Sequence, residues 1–401
     1  MNIVTGISDK QRRLLVYDDR YNCYDGKTFS TTDKHKIKKY KLTNSYRSKY
    51  IPIYKDKDKT LKETFDNFVL LSNELRKDSD CVINLYKTGT YINTALKIFF
   101  DHCNENNIVP EPIDSVESHW IESASVGGLM YSNDTYVGIG YKYDVNSFYP
   151  SIMKSSKFKI PIKAGTFETL SVEQFEQMKK TFFRYGIYRA VIDSSDDLKV
   201  KKLFRFNKTN YYTTADLRMA VKLGLSVSII NDDKPNFLFY GKSCMTGSQV
   251  FKPFVDLLYN LKSKNKKFKI ILNVLWGSLC SRNTKTIHYD INKDFNYDLD
   301  TEKIDIINQY LDGDTMKIEY SYKNKLYKYP YARLKPFILS QARHTLADML
   351  FEHVDTIEHV HTDSCISSKE LDFAISNDIG RWKFEGCSEV KIDHINKVIQ
   401  I

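Results

Sequence analysis

Two aspartates, Asp144 and Asp363, stand where the sequence predicts a strand to end, and a carboxylate held there is well placed to bind a metal ion. Either aspartate alone is equally well explained by ordinary corner or turn chemistry. Brought together, the two carboxylates would repel each other strongly unless a divalent cation lay between them. Two Mg²⁺ ions about 4 Å apart are the usual device for in-line phosphoryl transfer. The pair therefore favours a metal site suited to that chemistry.

The first aspartate ends a stretch rich in aromatic and β-branched residues. Residues 136–143 read as a strand that runs up to Asp144. Pro150 cannot continue a strand ladder, and Ser147 can cap a helix that begins directly after it. A sharp strand-to-helix corner is therefore predicted beside Asp144.

The second aspartate lies in a predicted hairpin. Residues 356–368 read as a strand, a tight turn and a second strand, with Asp363 at the turn. His361 precedes Asp363 by two residues and is predicted to point to the same face. A long helix is predicted before the hairpin, over residues 337–353.

A basic helix is predicted within residues 251–283. Its polar residues recur at spacings of 4, 3, 4 and 3, which places them on one face: Lys262, Lys266, Lys269, Asn273 and Trp276. The adjoining apolar stripe consists of Leu261, Phe268, Leu272, Leu275 and Leu279, and Gly277 is expected to end the helix. Ammonium groups in line can neutralise a triphosphate while a ring stacks on a base. A solvated basic surface helix is the alternative interpretation.

Mixed helices and strands are predicted in the remaining chain. Helices at 61–77 and 94–102 flank a buried strand at 81–86. The insertion at 154–250 has the pattern of a small α+β unit, with strands at 186–193, 225–230 and 237–240 and a Thr-capped helix at 215–223. The paired glycines Gly127-Gly128 allow the backbone to approach either a neighbouring strand or a phosphate chain closely.

Length, charge and cysteine usage limit the class of protein. A chain of 401 residues is long enough for roughly two to three domains. Its net charge of +10 favours a polyanionic partner, and residues 34–41 form a dense basic patch. The seven cysteines include no C-x-x-C pair, which argues for reduced thiols and against a zinc site. Without an apolar run of about 18 residues or a signal-peptide core, a soluble intracellular protein with no membrane partner is expected.

Three stretches, taken in order, resemble the polymerase motifs of family B DNA polymerases. Asp144-Val-Asn-Ser-Phe-Tyr-Pro-Ser-Ile resembles motif A, Lys269-Ile-Ile-Leu-Asn273-Val-Leu-Trp-Gly resembles motif B, and His361-Thr-Asp363-Ser resembles motif C. Gly127-Gly128 resembles the Tyr-x-Gly-Gly element ahead of the palm, without its Tyr. The resemblance is greatest to the protein-primed group, the organellar, linear-plasmid and viral type B enzymes, and it covers about residues 118–399.

The resemblance implies an α+β fold, with a polymerase palm of antiparallel sheet backed by helices, helical fingers, a reduced N-terminal domain and little or no thumb. The implied division is 1–117 as an N-terminal domain that is a possible degenerate exonuclease remnant, 118–153 as palm entry with motif A, 154–249 as an insertion like a terminal-protein region, 250–283 as fingers, 284–378 as palm with motif C, and 379–401 as a primer-grip segment.

The resemblance also implies roles for individual residues. Asp144, Asp363 and Lys269 would be catalytic, and the two aspartates with the carbonyl of Val145 would hold two Mg²⁺ ions, or Mn²⁺ in their place. The implied nucleotide-binding residues, which would hold the triphosphate, exclude a ribose 2′-OH and flank the nascent base pair, are Tyr149, Lys266, Lys269, Asn273 and Trp276. The implied DNA-binding residues are Gly127, Gly128, His361, Thr362 and Lys397.

Several departures from the family pattern affect these implications. His361 replaces the first Asp of motif C, which removes a negative charge; this would weaken metal binding or aid contact with the primer. Trp276 replaces the Tyr of motif B, and Ile399 stands where the primer-grip Tyr is expected. Exonuclease carboxylates are missing, so no proofreading is expected. The short segment after Lys397 leaves no room for a full thumb, so a processivity factor is an expected partner.

The leading hypothesis is a template-directed DNA polymerase of a virus or mobile element, with template-primer DNA, dNTPs and a priming terminal protein as partners. The alternative is a catalytically inactive descendant that binds nucleic acid or a priming protein through the same groove. A reverse transcriptase or RNA polymerase uses a similar palm, but the Ser-Phe-Tyr-Pro-Ser sequence after Asp144 and the Lys-x-x-x-Asn pattern argue against it.

Overall fold

The computed structural model describes residues 3–7, 13–18, 23–30, 50–54, 61–241, 244–292 and 300–401. The chain forms two compact units: the first comprises Met1–Asn107 and Pro253–Ser278, and the second Ile108–Lys252 and Leu279–Ile401. The basic patch noted at residues 34–41 lies outside the described residues. The finer division into six segments stays a prediction.

The described helices and strands alternate along the chain. The strands are β1 Ile3–Ile7, β2 Arg13–Asp18, β3 Cys23–Ser30, β4 Tyr50–Tyr54, β5 Met130–Ser132, β6 Val137–Val145, β7 Lys159–Pro161, β8 Thr166–Glu168, β9 Gly186–Ile192, β10 Tyr211–Thr213, β11 Val227–Ile229, β12 Phe237–Phe239, β13 Cys244–Thr246, β14 Thr284–Asp290, β15 Ile304–Asp312, β16 Thr315–Tyr322, β17 Ile357–His361, β18 Ser364–Ser367, β19 Trp382–His394 and β20 Lys397–Gln400.

The helices are α1 Leu61–Asp78, α2 Leu85–Thr88, α3 Tyr91–Glu105, α4 Ser115–Ser123, α5 Phe148–Met153, α6 Val172–Lys180, α7 Leu198–Leu203, α8 Thr214–Lys222, α9 Gly247–Val250, α10 Lys252–Leu261, α11 Lys267–Leu279 and α12 Leu334–Leu350, with 3₁₀ turns at Lys323–Lys325, Pro330–Arg333 and Phe351–Thr356. None of these helices combines the length and apolarity needed to cross a bilayer.

The second unit is built on a 6-stranded sheet with the order β20-β19-β6-β18-β17-β5, in which neighbouring strands run antiparallel. The strand predicted to end at Asp144 is β6, and the predicted hairpin is β17–β18. The long helix α12 packs on α5 and α8, and its apolar side chains Phe337, Ile338, Leu346 and Leu350 are buried. Antiparallel sheet backed by helices is the predicted α+β arrangement.

The insertion folds as the sequence predicted in most respects. Strand β9 lies between β10 and β12, with β8 beyond β12 and β11 also pairing with β9. Helix α8 begins at a capping box, because Thr213 accepts a hydrogen bond from the Asp216 amide and Asp216 bonds back to the Thr213 N–H. Gly224, in the left-handed region at φ +74°, ends the helix, one residue after the predicted range.

Two predictions of local structure were wrong. Residues 81–86 form a turn and the start of α2 rather than a buried strand. Asp80 and Cys81 have positive φ values of 51° and 68°, and this reverses the chain after α1. Val82 is consequently exposed while Ile83 is buried. Ser147 stands at the N-cap position of α5 but has φ 50° and makes no side-chain capping bond there.

The predicted basic helix that was to carry Lys262 through Trp276 on one face is interrupted, and the segment forms two helices, α10 and α11. The break occurs because Asn265 accepts a hydrogen bond from the Lys267 N–H at 3.0 Å and so starts a new helix. Lys262 and Lys266 therefore lie in the connection, outside both helices. Helix α11 continues through Gly277 to Leu279, so the predicted stop at this glycine was also wrong.

Candidate active site

The pairing of β6 with β18 brings Asp144, near the end of β6, beside Asp363 in the turn before β18. Asp144 lies directly opposite Ser364 in the ladder, and the Val145 N–H donates to the Asp363 carbonyl at 2.8 Å. Both aspartates are half-buried. The structure therefore places these two residues together, as predicted, although their role as metal ligands stays a prediction.

The turn that carries Asp363 is tight and strained. The Asp363 N–H donates to the His361 carbonyl at 2.7 Å, which leaves Thr362 in the left-handed region at φ 59°. This conformation is unfavourable for a β-branched residue and persists only where its surroundings impose it. The Thr362 hydroxyl donates to Oδ1 of Asp363 at 2.9 Å, so the turn also orients the carboxylate.

The paired glycines meet this turn. A Cβ on Gly128 would lie 2.9 Å from Cγ2 and 3.2 Å from Cα of Thr362, which leaves no room for a side chain. The Thr362 N–H donates to the Leu129 carbonyl at 2.9 Å and fixes the approach. The sequence left open whether the glycine backbone approaches a neighbouring strand or a phosphate chain. In the structure it approaches the turn between two neighbouring strands. That Gly127 and Gly128 contact DNA stays a prediction.

We expect Gly128→Ala to lower primer-extension activity by at least about tenfold, because its methyl group would push the Thr362 backbone and move Asp363. Gly127→Ala is the matched control. A Cβ there would meet Arg205 Nη1 at 3.4 Å, an ordinary contact with the end of a long side chain. Steady-state primer extension and thermal melting of both variants measure the effect; equal activity of the two would contradict it.

Tyr149 faces the same carboxylate from helix α5. Burial first, and the negative charge of Asp363 second, raise the pKa of Tyr149 to about 12, although Arg343 and Arg205 act in the opposite direction. The phenol therefore stays protonated at neutral pH. Its ring also contacts Phe148 with centroids 5.8 Å apart. Tyr149 thus lies within electrostatic reach of the predicted metal site.

Two arginines that were assigned no role from the sequence hold the loop at residues 126–128. Arg343 on α12 donates to the carbonyls of Val126 and Gly127, and its other amino group bonds Oδ1 of Asp216 at 2.7 Å. Arg205 Nη1 donates to the Gly128 carbonyl at 2.7 Å. The sequence contains a signal for Arg343, because a charged side chain on a largely apolar helix is expected to be buried with a partner. The sequence around Arg205 contains no comparable signal.

Strand β19 supplies a lysine on the opposite side of β6. Lys383 pairs with Asp144 in the ladder and donates to Oε1 of Glu385 at 3.0 Å. The pKa of Lys383 is raised first by this Glu385 bond and also by the charge of Asp144. The predicted primer-grip segment therefore begins directly beside the motif A aspartate.

His361 lies beside the turn of the final hairpin, at the residue just before Lys397. The His361 ring stacks parallel to that of His359 at 6.1 Å, and its Nε2 lies 3.4 Å from Oδ1 of Asn396. His359 Nε2 bonds the Ile395 carbonyl at 2.9 Å. Lys397 follows Asn396 and forms an exposed pair with Asp393 at 2.8 Å. Their contacts with DNA stay predictions.

The remaining predicted nucleotide-binding residues belong to the first unit. On α11, Lys269 and Asn273 are exposed and Trp276 is half-buried, whereas the predicted apolar stripe Phe268, Leu272, Leu275 and Leu279 is buried. Lys266 is exposed in the connection before α11. The amphipathic face is confirmed for α11, and the approach of its polar residues to the two aspartates stays a prediction.

The donors at Asp144 and Asp363 fit a magnesium site. Mg²⁺ prefers oxygen ligands and is commonly held by one or two carboxylates, with waters and substrate phosphates completing its shell. Two carboxylates at adjacent strand ends match that preference. Among the described residues, no cluster of three or more His, Cys, Asp or Glu side chains could form an all-protein site. Two carboxylates leave the remaining ligand positions of such an ion to water or phosphate oxygens.

Comparison with known proteins identifies the family. A model for "DNA polymerase type B, organellar and viral" matches residues 32–347, and the chain belongs to this family of DNA polymerases. The family predicted from the three motifs is confirmed. The matched range ends before Asp363, so the place of that residue beside Asp144 rests on the strand pairing.

The similar proteins are distant and longer. A probable DNA polymerase of Neurospora intermedia is 26% identical over 227 residues, covering 52% of this chain and 23% of that protein. Phi29 DNA polymerase complexed with single-stranded DNA aligns over 100% of this chain and 72% of its own, with TM-score 0.60 and 16% identity. Its ternary complex with primer-template DNA and incoming nucleotides aligns over 79% of this chain and 56% of its own, with TM-score 0.55 and 19% identity.

These likenesses confirm the predicted fold class, because a shared fold is what structural similarity at low identity demonstrates. The chain spans less than a quarter of the length of its Neurospora relative and about half of the Phi29 chain in the ternary complex.

Proposed function

We propose that this protein is a template-directed DNA polymerase that transfers deoxynucleotides through a two-metal mechanism. The observation that carries the proposal is the direct pairing of β6 with β18, which puts Asp144 of β6 beside the turn that carries Asp363. Membership of the type B family supplies the reaction class. Residues Asp144, Asp363 and the Val145 carbonyl are the proposed metal ligands.

The two ions, when bound, would activate the primer 3′-hydroxyl and neutralise charge on the transferring phosphate and its leaving group. The chain's own residues prepare this chemistry. Thr362 orients the Asp363 carboxylate through its hydroxyl, and Gly128 lets the turn come close to the loop before β5. Lys269 and Lys266 are proposed to bind the triphosphate, and Asn273 and Trp276 to flank the nascent base pair.

The direct test is primer extension on a primed template with dNTPs and Mg²⁺ or Mn²⁺. Template-dependent incorporation that requires both aspartates supports the proposal. DNA binding that is unchanged by Asp144→Asn and Asp363→Asn, with no incorporation in the parent chain, would favour an inactive, nucleic-acid-binding descendant instead. This second candidate function is retained because His361 replaces the first aspartate of motif C.

Tyr149 is proposed to select deoxyribonucleotides by filling the space of a ribose 2′-OH. We expect Tyr149→Val to raise ribonucleotide incorporation relative to deoxyribonucleotide incorporation by about tenfold or more, because the ring that excludes the hydroxyl is removed. Single-nucleotide incorporation with rNTP and dNTP pairs measures this ratio.

Tyr149→Phe is the matched control, since it keeps the ring and removes only the phenol oxygen. The phenylalanine variant should discriminate between the two sugars as the parent does. If the valine variant also retained the parental ratio, a different residue would be the selective element.

The finer parts of the proposal concern partners and origin. The insertion at 154–249 is proposed to contact a priming terminal protein, and a processivity factor is proposed as a further partner. A virus or mobile element is the proposed source, and synthesis without proofreading is proposed from the lack of exonuclease carboxylates in residues 1–117. Exonuclease assays on a mismatched primer and initiation assays with a candidate terminal protein test these points.

A further inference from the structure

The second unit contains a cavity of about 450 Å³ that the polymerase motifs do not use. Residues of the insertion form most of its wall, and Phe337, Ser340 and Gln341 of α12 complete it. The lining includes four cationic side chains and no acidic one: Lys157, Lys159, Arg184 and Arg218. A concave site of one charge sign focuses the electrostatic field and attracts an anion.

Most of these cations have no protein counter-charge. Arg184 is held by Glu168 in a bidentate pair at 2.6 and 2.8 Å. Lys157, Lys159 and Arg218 are exposed and form no salt bridge within the described part of the chain. Three uncompensated cations around one cavity leave positive charge available for an anionic ligand.

Aromatic rings alternate with these cations. Phe182 is 69% exposed, although it lines the same cavity. The Arg184 guanidinium lies 3.9 Å from the ring centroid of Phe239, and Tyr185 stacks on Phe337 at 4.6 Å. An exposed phenyl ring beside cations offers a planar surface on which a nucleobase can stack while its phosphates meet the ammonium groups.

We propose that this cavity binds a short segment of single-stranded DNA, with a base stacked on Phe182 and the backbone phosphates at Lys157, Lys159 and Arg218. Single-stranded DNA fits better than a duplex because stacking needs an unpaired base face. It fits better than an acidic peptide because carboxylates use the cations but not the rings. Helix α12 lines this cavity and also carries Arg343, which holds the loop at Gly127. The proposed binding does not depend on polymerase activity.

The test uses the full chain and a fluorescent oligothymidylate of about ten nucleotides. We expect the double variant Lys159→Glu/Arg218→Glu to weaken binding at least about tenfold and to make the salt dependence shallower, because fewer counterions are released. Phe182→Ala should weaken binding by about fivefold or more through lost stacking. Lys234→Glu, an exposed charge reversal in the same insertion outside the cavity, is the matched control and should change affinity less than about twofold.

Photocrosslinking with a thiothymidine-substituted oligonucleotide gives an independent measurement. Crosslinks on peptides that contain residues 157–159 or 182–185 support the proposal. Crosslinks that avoid both peptides, or cavity variants that bind as the Lys234→Glu variant does, would overturn it. Binding of polyglutamate that the cavity variants abolish, with oligothymidylate binding unchanged, would assign the cavity to an acidic protein and also overturn it.

Discussion

Asp144→Asn and Asp363→Asn are each expected to lower primer extension by about a thousandfold or more, an increase of ~4 kcal/mol in the activation barrier. Asparagine keeps the shape of the side chain but removes the negative charge that a shared cation needs. Because both positions are half-buried ends of paired strands, the variants should keep the parental fold and melting temperature. Single-turnover incorporation at saturating dNTP measures the loss.

Asp134→Asn is the matched control for this experiment. Asp134 is an exposed acid in the turn between β5 and β6, and it accepts a hydrogen bond from Ser132. Its neutralisation should leave extension unchanged. An active Asp363→Asn variant would remove the carboxylate pair from the mechanism and with it the two-metal proposal.

The largest expected loss of stability comes from Arg333→Met, at about 3–5 kcal/mol. The Arg333 side chain is fully buried, and it donates to both carboxylate oxygens of Glu117 at 2.7 and 2.6 Å. Its other bonds go to the carbonyls of Glu111 and Pro112, while Tyr240 donates to Glu117 at 2.8 Å. Methionine would leave a buried, unpaired carboxylate, which is far costlier than losing an exposed pair.

Lys201→Met provides the comparison, because Lys201 and Asp196 form an ion pair that is largely exposed. Its loss should cost less than about 1 kcal/mol. Urea denaturation followed by circular dichroism gives both values. Equal losses for the two variants would show that the Arg333–Glu117 pair does not anchor the second unit.

The sequence was most informative where a strand pattern was bounded by a clear turn signal. Alternating β-branched and aromatic residues identified β6, and the hairpin of β17 and β18 followed from its short turn. The family resemblance implied that the two aspartates meet, but the pairing of β6 with β18 was not predicted, because local patterns do not specify which distant strands meet.

Other features depend on competing local interactions that the hydrophobic pattern of the sequence does not reveal. The helical spacing of lysines continues across residues 262–266, yet the side chain of Asn265 starts a new helix there. The short run after Cys81 has the composition of a strand, but the positive φ values before it direct the chain into α2. The bonds of Arg205 and Arg343 join residues far apart in sequence, and many other cations were equally available for them.

The pairing of β6 with β18 and β19 also bears on how the protein is made. Roughly 220 residues separate the two aspartates, so closing this loop is a slow, long-range step of folding. At ordinary rates of translation, β6 waits roughly ten to forty seconds on the ribosome before its neighbours are synthesised. During that interval both edges of the strand are open to pairing with other chains. A chaperone that covers nascent β6 should therefore raise the yield of folded protein, and every nascent chain that stops before β18 lacks the carboxylate pair.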